Sequence, residues 1–338
     1  MNETFTAAVI IPARNEEERI ATCLSALVPQ VHKDVVVVVV ANNCSDGTIR
    51  AARGVIHDPA LDVLDCTFDV SQGVGEARQR GCLHALAKYP KIQVLMTTDA
   101  DCIVAPDWVN ANRRHLAEVD AVCGRIDPIA SETAILAHMP SKEGADEATY
   151  RALVLRFYDL LAPENHNPYP HHGEAAGASL ACLASAWQAV AGFADVRTGE
   201  DREFVRKLRM AGYRVRHADD VRIQASCRLR GRAPGGMADA LRERLAGIDY
   251  LVDEALPPVG YLVTMARRGR LDTWPPDTPL AHRLRPVDLP QEIRRLQELI
   301  EQIEAARAIV DIFEPNPIIR FPRTDILLAS CPAVQPDV

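Results

Sequence analysis

Two carboxylates stand close together directly after a short apolar run. Asp99 and Asp101 flank Ala100, and the preceding segment Val94–Thr97 has the composition of a buried strand. Carboxylate oxygens are the ligands that Mg²⁺ and Mn²⁺ prefer, and these cations also bind phosphate oxygens. The triplet therefore predicts a divalent-cation site that would link the protein to a diphosphate. A solvated acidic turn is the alternative, because two Asp residues at this spacing are common.

A second acidic pair, Glu200 and Asp201, opens a charged segment with helical composition that ends near Ala211. One of these carboxylates could serve as a general base that removes a proton from a hydroxyl group. The alternative is that the pair only stabilises the start of the helix, where negative charge is favourable.

Three further features could bind anions, a cation or a polar substrate. The segment from Cys227 to Gly236 contains three arginines and three glycines, so Arg230 and Arg232 could close over a diphosphate, or the segment is an ordinary charged turn. His217 follows a short apolar run and could complete the shell of a cation, although a structural histidine is the alternative. The sequence His-His-Gly-Glu at 171–174 could bind an acceptor by hydrogen bonds, or form a plain loop.

These residues follow a regular alternation of strands and helices. Val35–Val40 is a run of six valines, which is typical of a central strand covered on both faces. The predicted strands are Ala7–Pro12, Val35–Val40 and Val94–Thr97, and the predicted helices are Glu16–Leu27, Thr48–Arg53, Ala77–Leu86 and Pro106–Leu116. Such a pattern predicts a doubly wound, mostly parallel sheet that binds ligands beyond the carboxyl ends of its strands. The polar turns 13–16, 42–46 and 99–101 all fall at such ends.

The alternation weakens after about residue 123, which divides the chain into predicted domains. The predicted segments are residues 1–122, residues 123–235 and residues 236–338, of which the last is mostly helical. Residues 131–150 are polar and mixed, and a short strand is predicted at Tyr213–His217. Apolar residues from Ile293 to Phe313 share one helical stripe, which could dock on the body of the protein or pair with a second subunit.

Composition excludes several classes of protein. The net charge of −8 argues against a nucleic-acid surface. Nine cysteines without a C-x-x-C pair indicate reduced thiols, which together with the absence of a signal-like N-terminus predicts a cytoplasmic protein. The most apolar run, Val35–Ala41, is far shorter than the ~20 residues of a membrane span. No G-x-G-x-x-G follows the first strand, which argues against a dinucleotide-dependent oxidoreductase.

Four segments together resemble the GT-A glycosyltransferases of the large family 2 type. They are AVIIPARNEE at 8–17, VVANNCSDGT at 39–48, GEARQRG at 75–81 and TDAD at 98–101. The resemblance covers residues 7–116 well and residues 177–232 moderately, where Gly192-Phe193 and Glu200-Asp201 match further family motifs. It implies a GT-A fold, in which the doubly wound sheet is Rossmann-like. Residues 1–122 would be the nucleotide-sugar-binding half of the GT-A domain, residues 123–235 its acceptor and catalytic half, and residues 236–338 a helical C-terminal extension.

The resemblance also implies a role for each matching residue. Asp101 would be the direct ligand of Mg²⁺ or Mn²⁺, with Asp99 on the ribose or a water of the cation. Asp201 would be the base, ahead of Glu200. The nucleotide sugar, linked to UDP or GDP, would contact Pro12, Ala13, Arg14, Glu16, Asn42, Arg78 and Ala100. Asn42 stands where relatives have an Asp that pairs with the base, so the usual preference for uracil does not transfer.

We therefore expect a metal-dependent glycosyltransferase that moves a sugar from a nucleotide-sugar donor to a hydroxyl group by inverting single displacement. The acceptor would be small or lie at a membrane surface, because the motif of processive synthases is absent. Two alternatives remain open: a retaining GT-A transferase that acts on a glycerate-type acceptor, and a nucleotide-sugar-binding protein without turnover. A homodimer is compatible with the helical stripe.

Overall fold

Strands and helices alternate through the first half of the chain, as the sequence predicts. A computed structural model describes residues 5–31, 34–56, 59–69, 72–232, 235–247, 250–271 and 274–313, apart from the side chains of residues 141 and 309–313. The elements of the first half are β1 (Ala7–Ala13), α1 (Ile20–Leu27), β2 (Val35–Asn42), α2 (Thr48–Arg53), β3 (Leu61–Cys66), α3 (Val74–Lys88), β4 (Val94–Thr97), β5 (Cys102–Val104) and α4 (Trp108–Leu116). Those of the second half are β6 (Ala121–Pro128), α5 (Ser141–Leu161), β7 (Leu180–Leu183), α6 (Ala184–Ala189), α7 (Glu200–Met210), β8 (Val215–Ala225), α8 (Met237–Leu245), α9 (Val259–Arg267) and α10 (Leu289–Phe313).

The strands form one mixed, mostly parallel sheet in the order β3-β2-β1-β4-β7-β6-β8-β5. β1 lies between β2 and β4 and is parallel to both, and β3 continues the parallel half beside β2. β7 is antiparallel to both β4 and β6, β8 is parallel to β6, and β5 is antiparallel to β8. The chain thus winds outward from β1 in both directions, which leaves a crevice at the carboxyl ends of β1 and β4.

The six valines of β2 explain why both faces of this sheet are covered. All six are fully buried, and their side chains alternate between two hydrophobic cores. Val35, Val37 and Val39 pack in the core that includes Leu24 of α1 and Trp108 of α4. The even-numbered valines pack in the opposite core with residues of α3, α6 and α7. Each fully buried valine contributes roughly 1.5–3 kcal/mol, so this strand anchors the layered architecture.

Several elements differ from the sequence-based expectation. The first helix begins at Ile20 rather than Glu16, because the backbone N–H of Glu16 binds Thr48 and Asn15 takes a left-handed conformation. β8 extends to Ala225, well beyond the predicted end at His217, since it pairs with β6 across a register irregularity and then with β5. β3, β5, β6 and β7 were not predicted; β3 is half-exposed and β5 has three residues, so neither of these two carries a strong apolar pattern.

The largest missed element is α5, in the region that was predicted to be polar and mixed. Tyr150, Val154 and Phe157 follow helical spacing and are fully buried. They share a core with Leu296, Ile300 and Ile303 of α10, which lies far away in sequence. The predicted α10 stripe therefore packs within the protein; the side chains of Val310 and Phe313 lie outside the described residues.

The chain divides into two compact units that differ from the predicted domains. One unit comprises Met1–His138 and His172–Arg242, and the other comprises Met139–His171 and Glu243–Val338. The predicted boundary near residue 122 falls inside the first unit, because β6 pairs with β7 and β8 of the same sheet. The segment of α5 belongs with the C-terminal helices, since its apolar residues share one core with those of α9 and α10. Among the described helices, none combines the length and apolarity needed to cross a bilayer.

Candidate active site

The Asp-Ala-Asp triplet forms a tight turn at the carboxyl end of β4. The N–H of Cys102 donates to the carbonyl of Asp99, which closes the turn at 3.1 Å and leads directly into β5. Ala100 is buried in the core beneath, so the two carboxylates on either side are directed toward the edge of the sheet. The apolar middle residue thus anchors the turn, and both acids remain half-buried at the crevice.

The donor set at this turn fits a hard divalent cation. One ligand atom each of Asp99, Asp101 and Cys102 lies within 4.8 Å of the others. Burial, together with the nearby carboxylates of Asp99 and Glu16, raises the pKa of Asp101 to about 6, although Arg228 acts in the opposite direction. Negative charge is therefore in excess here, and a cation would relieve it. The two carboxylates are the donors of the type that Mg²⁺ and Mn²⁺ prefer.

The structure does not bring His217 to this pair. His217 lies on β8 opposite Cys123 of β6, and the register continues through β7 to Thr97 of β4. Three strand spacings, about 14 Å along the sheet, therefore separate His217 from Thr97, the last residue of β4 before the turn. Its ring instead packs edge-on against His172 at 5.4 Å. The sequence could not exclude this because a histidine after a strand has no fixed distance to another strand end.

The predicted acceptor histidines have separate surroundings. The Nε2–H of His172 donates to the carbonyl of Cys123 at 3.2 Å, and its Nδ1 accepts from the N–H of Glu174 at 3.0 Å. His171 instead pairs with Asn167. The arrangement holds His172 against β6 by two backbone groups, whereas His171 contacts a side chain.

Arg78 lies buried under the turn as the centre of an ion triad. Its side chain is 3% exposed, and its two terminal nitrogens bind Asp99, at 2.5 Å, and Glu200. Burial by itself lowers the pKa of Arg78, but the charges of Asp99 and Glu200 outweigh it and raise the pKa. Gly177 closes over the guanidinium, since a Cβ at that position would lie 2.4 Å from Cζ. The predicted phosphate ligand is thus a buried bridge between two carboxylates.

The two acidic side chains at the start of α7 make different contacts. Glu200 is 3% exposed and binds Arg78, and burial raises its pKa despite that arginine. The half-buried Asp201 accepts hydrogen bonds from the N–H of Gly177 and of Arg202, both at 2.8 Å. The N-cap residue is Gly199, which has no side chain to cap the helix, and both acids lie in the first turn, where negative charge is favourable. Asp201 is therefore the carboxylate held at the rim, and Glu200 is the one held beneath it.

Arg228 completes the site, and sequence reasoning did not select it. Its guanidinium binds both oxygens of Glu16, at 2.6 and 2.7 Å, and Oδ2 of Asp101 at 2.9 Å. Arg230 is exposed, and Arg232 binds the carbonyl of Asn15 at 3.1 Å. The arginine-rich segment thus reaches the crevice through Arg228 and Arg232. All three arginines have equivalent sequence surroundings, so only the fold distinguishes them.

The turns after β1 and β2 face the same crevice. Pro12 and Ala13 are buried at the end of β1, Arg14 is half-buried, and Asn42 ends β2 beside them. The side chain of Asn15 accepts the N–H of Ser45 at 2.8 Å, which ties the two turns together. The structure therefore gathers the predicted nucleoside-binding residues at the edge that also holds Asp99 and Asp101.

Known proteins that resemble this chain include several glycosyltransferases. The sequence model described as glycosyl transferase family 2 matches residues 8–176, which is half of the chain. A curated relative, glycosyltransferase AglE from Haloferax volcanii, is 28% identical over 177 residues, covering 49% of this chain and 56% of its own length. The chain thus spans little more than half of that relative.

Solved structures with a similar fold include the mannosyltransferase PcManGT from Pyrobaculum calidifontis in complex with GDP-Man and Mn²⁺. It has a TM-score of 0.50 and 20% identity, and the match covers 92% of this chain and 81% of that one. Residues 1–349 of S. aureus TarS, in complex with UDP-GlcNAc, match with a TM-score of 0.49 and 14% identity, over 87% of this chain and 72% of that one. The fold is the expected GT-A type with a helical C-terminal segment, and the chain belongs to glycosyl transferase family 2.

Proposed function

We propose that this protein transfers a sugar from a nucleotide-sugar donor to a hydroxyl group of an acceptor, with Mg²⁺ or Mn²⁺ at Asp101 and Asp99. One observation carries the proposal. Asp99 of the β4 turn shares the buried Arg78 with Glu200 at the start of α7, so a candidate cation site and a candidate base are held at one crevice. Membership of glycosyl transferase family 2 supports the same reaction.

The donor would lie across the turns that end β1, β2 and β4. Pro12, Ala13, Arg14 and Asn42 would contact the nucleoside, because they border the crevice at the switch between β1 and β4. When bound, the cation neutralises the departing diphosphate. Arg228 contacts Asp101 after β4 and Arg232 contacts Asn15 after β1, and both would bind phosphate oxygens through their guanidinium groups.

Asp201 would act as the general base. In a single displacement, the acceptor oxygen forms a bond to the anomeric carbon while the bond from that carbon to the diphosphate oxygen breaks. The proton of the acceptor hydroxyl passes to a carboxylate oxygen of Asp201, and the configuration at the anomeric carbon inverts. Two backbone N–H groups hold Asp201 in place, whereas Glu200 is buried on Arg78 and would serve the site by fixing that arginine.

The first experiment is calorimetric binding of UDP, GDP, UDP-glucose and GDP-mannose, each with Mn²⁺ and with EDTA. GDP-mannose belongs in the set because PcManGT, which shares the fold, binds it together with Mn²⁺. We expect binding of one nucleotide that depends on Mn²⁺ and is lost in Asp101→Asn. Absence of binding by every nucleotide, with and without the metal, would contradict the proposal.

Turnover and stereochemistry need a second measurement. The donor that binds is incubated with simple glycoside and glycerate acceptors, and the anomeric configuration of the product is read by NMR. An inverted product supports single displacement with Asp201 as the base. A retained configuration would favour the retaining mechanism, and tight binding without hydrolysis or transfer would favour a protein that only binds nucleotide sugars.

A further inference from the structure

The guanidinium of Arg228 sits between two carboxylates at the mouth of the crevice. It binds Glu16 through two hydrogen bonds and Asp101 through one. The Glu16 side chain is 5% exposed, whereas those of Arg228 and Asp101 are about one-fifth exposed. Arg228 thus supplies the positive charge next to the most deeply buried of these carboxylates, and it reaches Asp101 from the same position.

Asp101 also lies where a divalent cation could bind. Its carboxylate also belongs to the group of donors, with Asp99, that fits a divalent cation. A guanidinium and a divalent cation on one carboxylate would stand within a few ångströms of each other and would repel strongly. Cation binding through Asp101 and the contact between Arg228 and Asp101 therefore compete.

We propose that Arg228 is a built-in counter-cation of the site, which a divalent cation displaces from Asp101. The proposal rests on the proposed function in one respect, that Asp99 and Asp101 bind a cation. Arg228 lies on the segment that follows β8, three residues beyond the end of that strand, so its side chain can leave Asp101 without disrupting the sheet. The contact between Arg228 and Glu16 could persist or break, depending on whether a diphosphate binds in the crevice.

The exchange makes the cation and the nucleotide bind cooperatively. A cation that binds alone takes Asp101 as a ligand, and Arg228 then loses its contact with that carboxylate. A diphosphate that arrives with the cation offers Arg228 new anionic oxygens, so that the displaced guanidinium regains a charged partner. The affinity for Mn²⁺ should therefore rise when a nucleoside diphosphate is present, and the affinity for the nucleotide should rise by the same factor when Mn²⁺ is present.

The test measures Mn²⁺ binding without nucleotide, by electron paramagnetic resonance of the free ion, in the full-length protein and in three variants. Arg228→Gln should bind Mn²⁺ at least about tenfold more tightly than wild type, the size expected when one nearby like charge is removed. Asp101→Asn should bind it far more weakly. Arg53→Gln removes the same charge from an exposed residue at the end of α2 and should change the Kd by less than about twofold.

The same proteins are then titrated with Mn²⁺ in the presence of UDP and of GDP. In wild type the nucleotide that binds should tighten Mn²⁺ binding, and in Arg228→Gln this coupling should be smaller, with only the direct attraction between Mn²⁺ and the diphosphate left. Equal or weaker metal-only affinity in Arg228→Gln would overturn the exchange, as would a coupling factor that equals that of wild type. The proposed function would survive these results if wild type still binds a nucleotide with Mn²⁺, and it would fail together with the exchange if wild type binds neither.

Limited proteolysis of the wild-type protein keeps the proposal testable if Arg228→Gln does not fold. An arginine held on two carboxylates is a poor trypsin substrate, so addition of Mn²⁺ should speed cleavage after Arg228 relative to cleavage after the exposed Arg53 of α2. Cleavage is located by mass spectrometry. An unchanged ratio of the two cleavages at saturating Mn²⁺ would contradict displacement of Arg228.

Discussion

At the scale of single residues, the crevice is organised by carboxylates that differ in what holds them. Asp201 is held by backbone N–H groups, Glu200 and Asp99 by the buried Arg78, and Asp101 by Arg228. Only a carboxylate that is not committed to a buried arginine can exchange protons with a substrate. This difference separates the candidate base from its neighbour, although the two are adjacent in sequence.

Asp201→Asn tests the base. The change keeps the size of the side chain but removes its ability to accept a proton, so kcat should fall by roughly 10²–10⁴-fold. Affinity for the nucleotide, measured by calorimetry with Mn²⁺, should stay within about threefold of wild type. Turnover that persists at the wild-type rate would show that another group takes the proton.

Arg78→Met tests the buried triad. Loss of this cation leaves Asp99 and Glu200 without compensation in a buried place, and the free energy of unfolding should fall by about 3–5 kcal/mol. Arg80→Met is the control, two positions after Arg78 on α3. It removes a half-exposed arginine that pairs with Glu76, and the free energy of unfolding should fall by less than about 1 kcal/mol. Urea titrations of both variants compare these losses. Equal losses in the free energy of unfolding would contradict a stabilising role for Arg78 in the buried triad.

The charge of Asp101 predicts a pH dependence of stability. Because its pKa rises from 3.8 to about 6, the folded metal-free protein binds this proton more tightly than the unfolded chain does. The ionised carboxylate therefore costs stability above about pH 6, and this cost disappears as the pH falls toward 4. In EDTA, Asp101→Asn should be more stable than wild type by about 2 kcal/mol at pH 7 and nearly equal to it at pH 4. Urea titrations at both pH values check this, and a wild type that is the more stable at pH 7 would contradict it.

At the scale of elements, the crevice depends on how closely α3 lies on the sheet. α3 carries Arg78, and Gly81 lies one turn later against β1 and β2. A Cβ on Gly81 would lie 2.4 Å from Ile10 Cγ2 and 2.8 Å from Val40 Cγ2. The glycine therefore lets the helix approach the sheet closely enough to bury the arginine under the β4 turn.

Gly81→Ala should destabilise the protein by about 1–3 kcal/mol, because the added methyl group overpacks the sheet. Gly144→Ala in α5 is the matched control, since no atom lies within 4 Å of the added Cβ. There alanine should raise stability by up to about 1 kcal/mol through its higher helix propensity. Thermal unfolding followed by circular dichroism compares the two, and a neutral Gly81→Ala would show that α3 has room to shift.

At the scale of the whole molecule, two compact units have separate hydrophobic cores. The site residues named above, Asp99, Asp101, Glu200, Asp201 and Arg228, all lie in the unit that contains the sheet. The other unit is built from α5, α9 and α10, around a core of its own. Binding at the crevice should therefore stabilise the first unit more than the second.

Hydrogen exchange followed by mass spectrometry tests this division. Addition of the nucleotide with Mn²⁺ should slow amide exchange in the β4–β5 turn, after β1 and at the start of α7. Amides of α5, α9 and α10 should change little. Comparable protection in α10 would contradict the prediction and would make the C-terminal helices part of the ligand response.

The residue types and their order in the chain were sufficient to predict the alternating elements, the central valine strand and the position of the acidic turn. These features depend on local patterns of apolar and polar residues, which a sequence displays directly. They were also sufficient to predict that Glu200 and Asp201 belong to the same site as Asp99, through the resemblance to family 2. The membership of α5 in the C-terminal unit was not predicted, because its partner α10 lies more than a hundred residues away.

The tertiary structure alone decided which charged side chains meet. Arg78 and Glu200 are 122 positions apart, and Arg228 and Glu16 are 212 apart. Ion pairs of this kind depend on the distance and orientation of elements brought together by the sheet, and no local pattern records either. The sequence by itself predicted a site for a cation and a nucleotide sugar at this edge. Only the fold decided that Arg78 is a buried bridge, that His217 lies elsewhere, and that Arg228 is the arginine on the acidic turn.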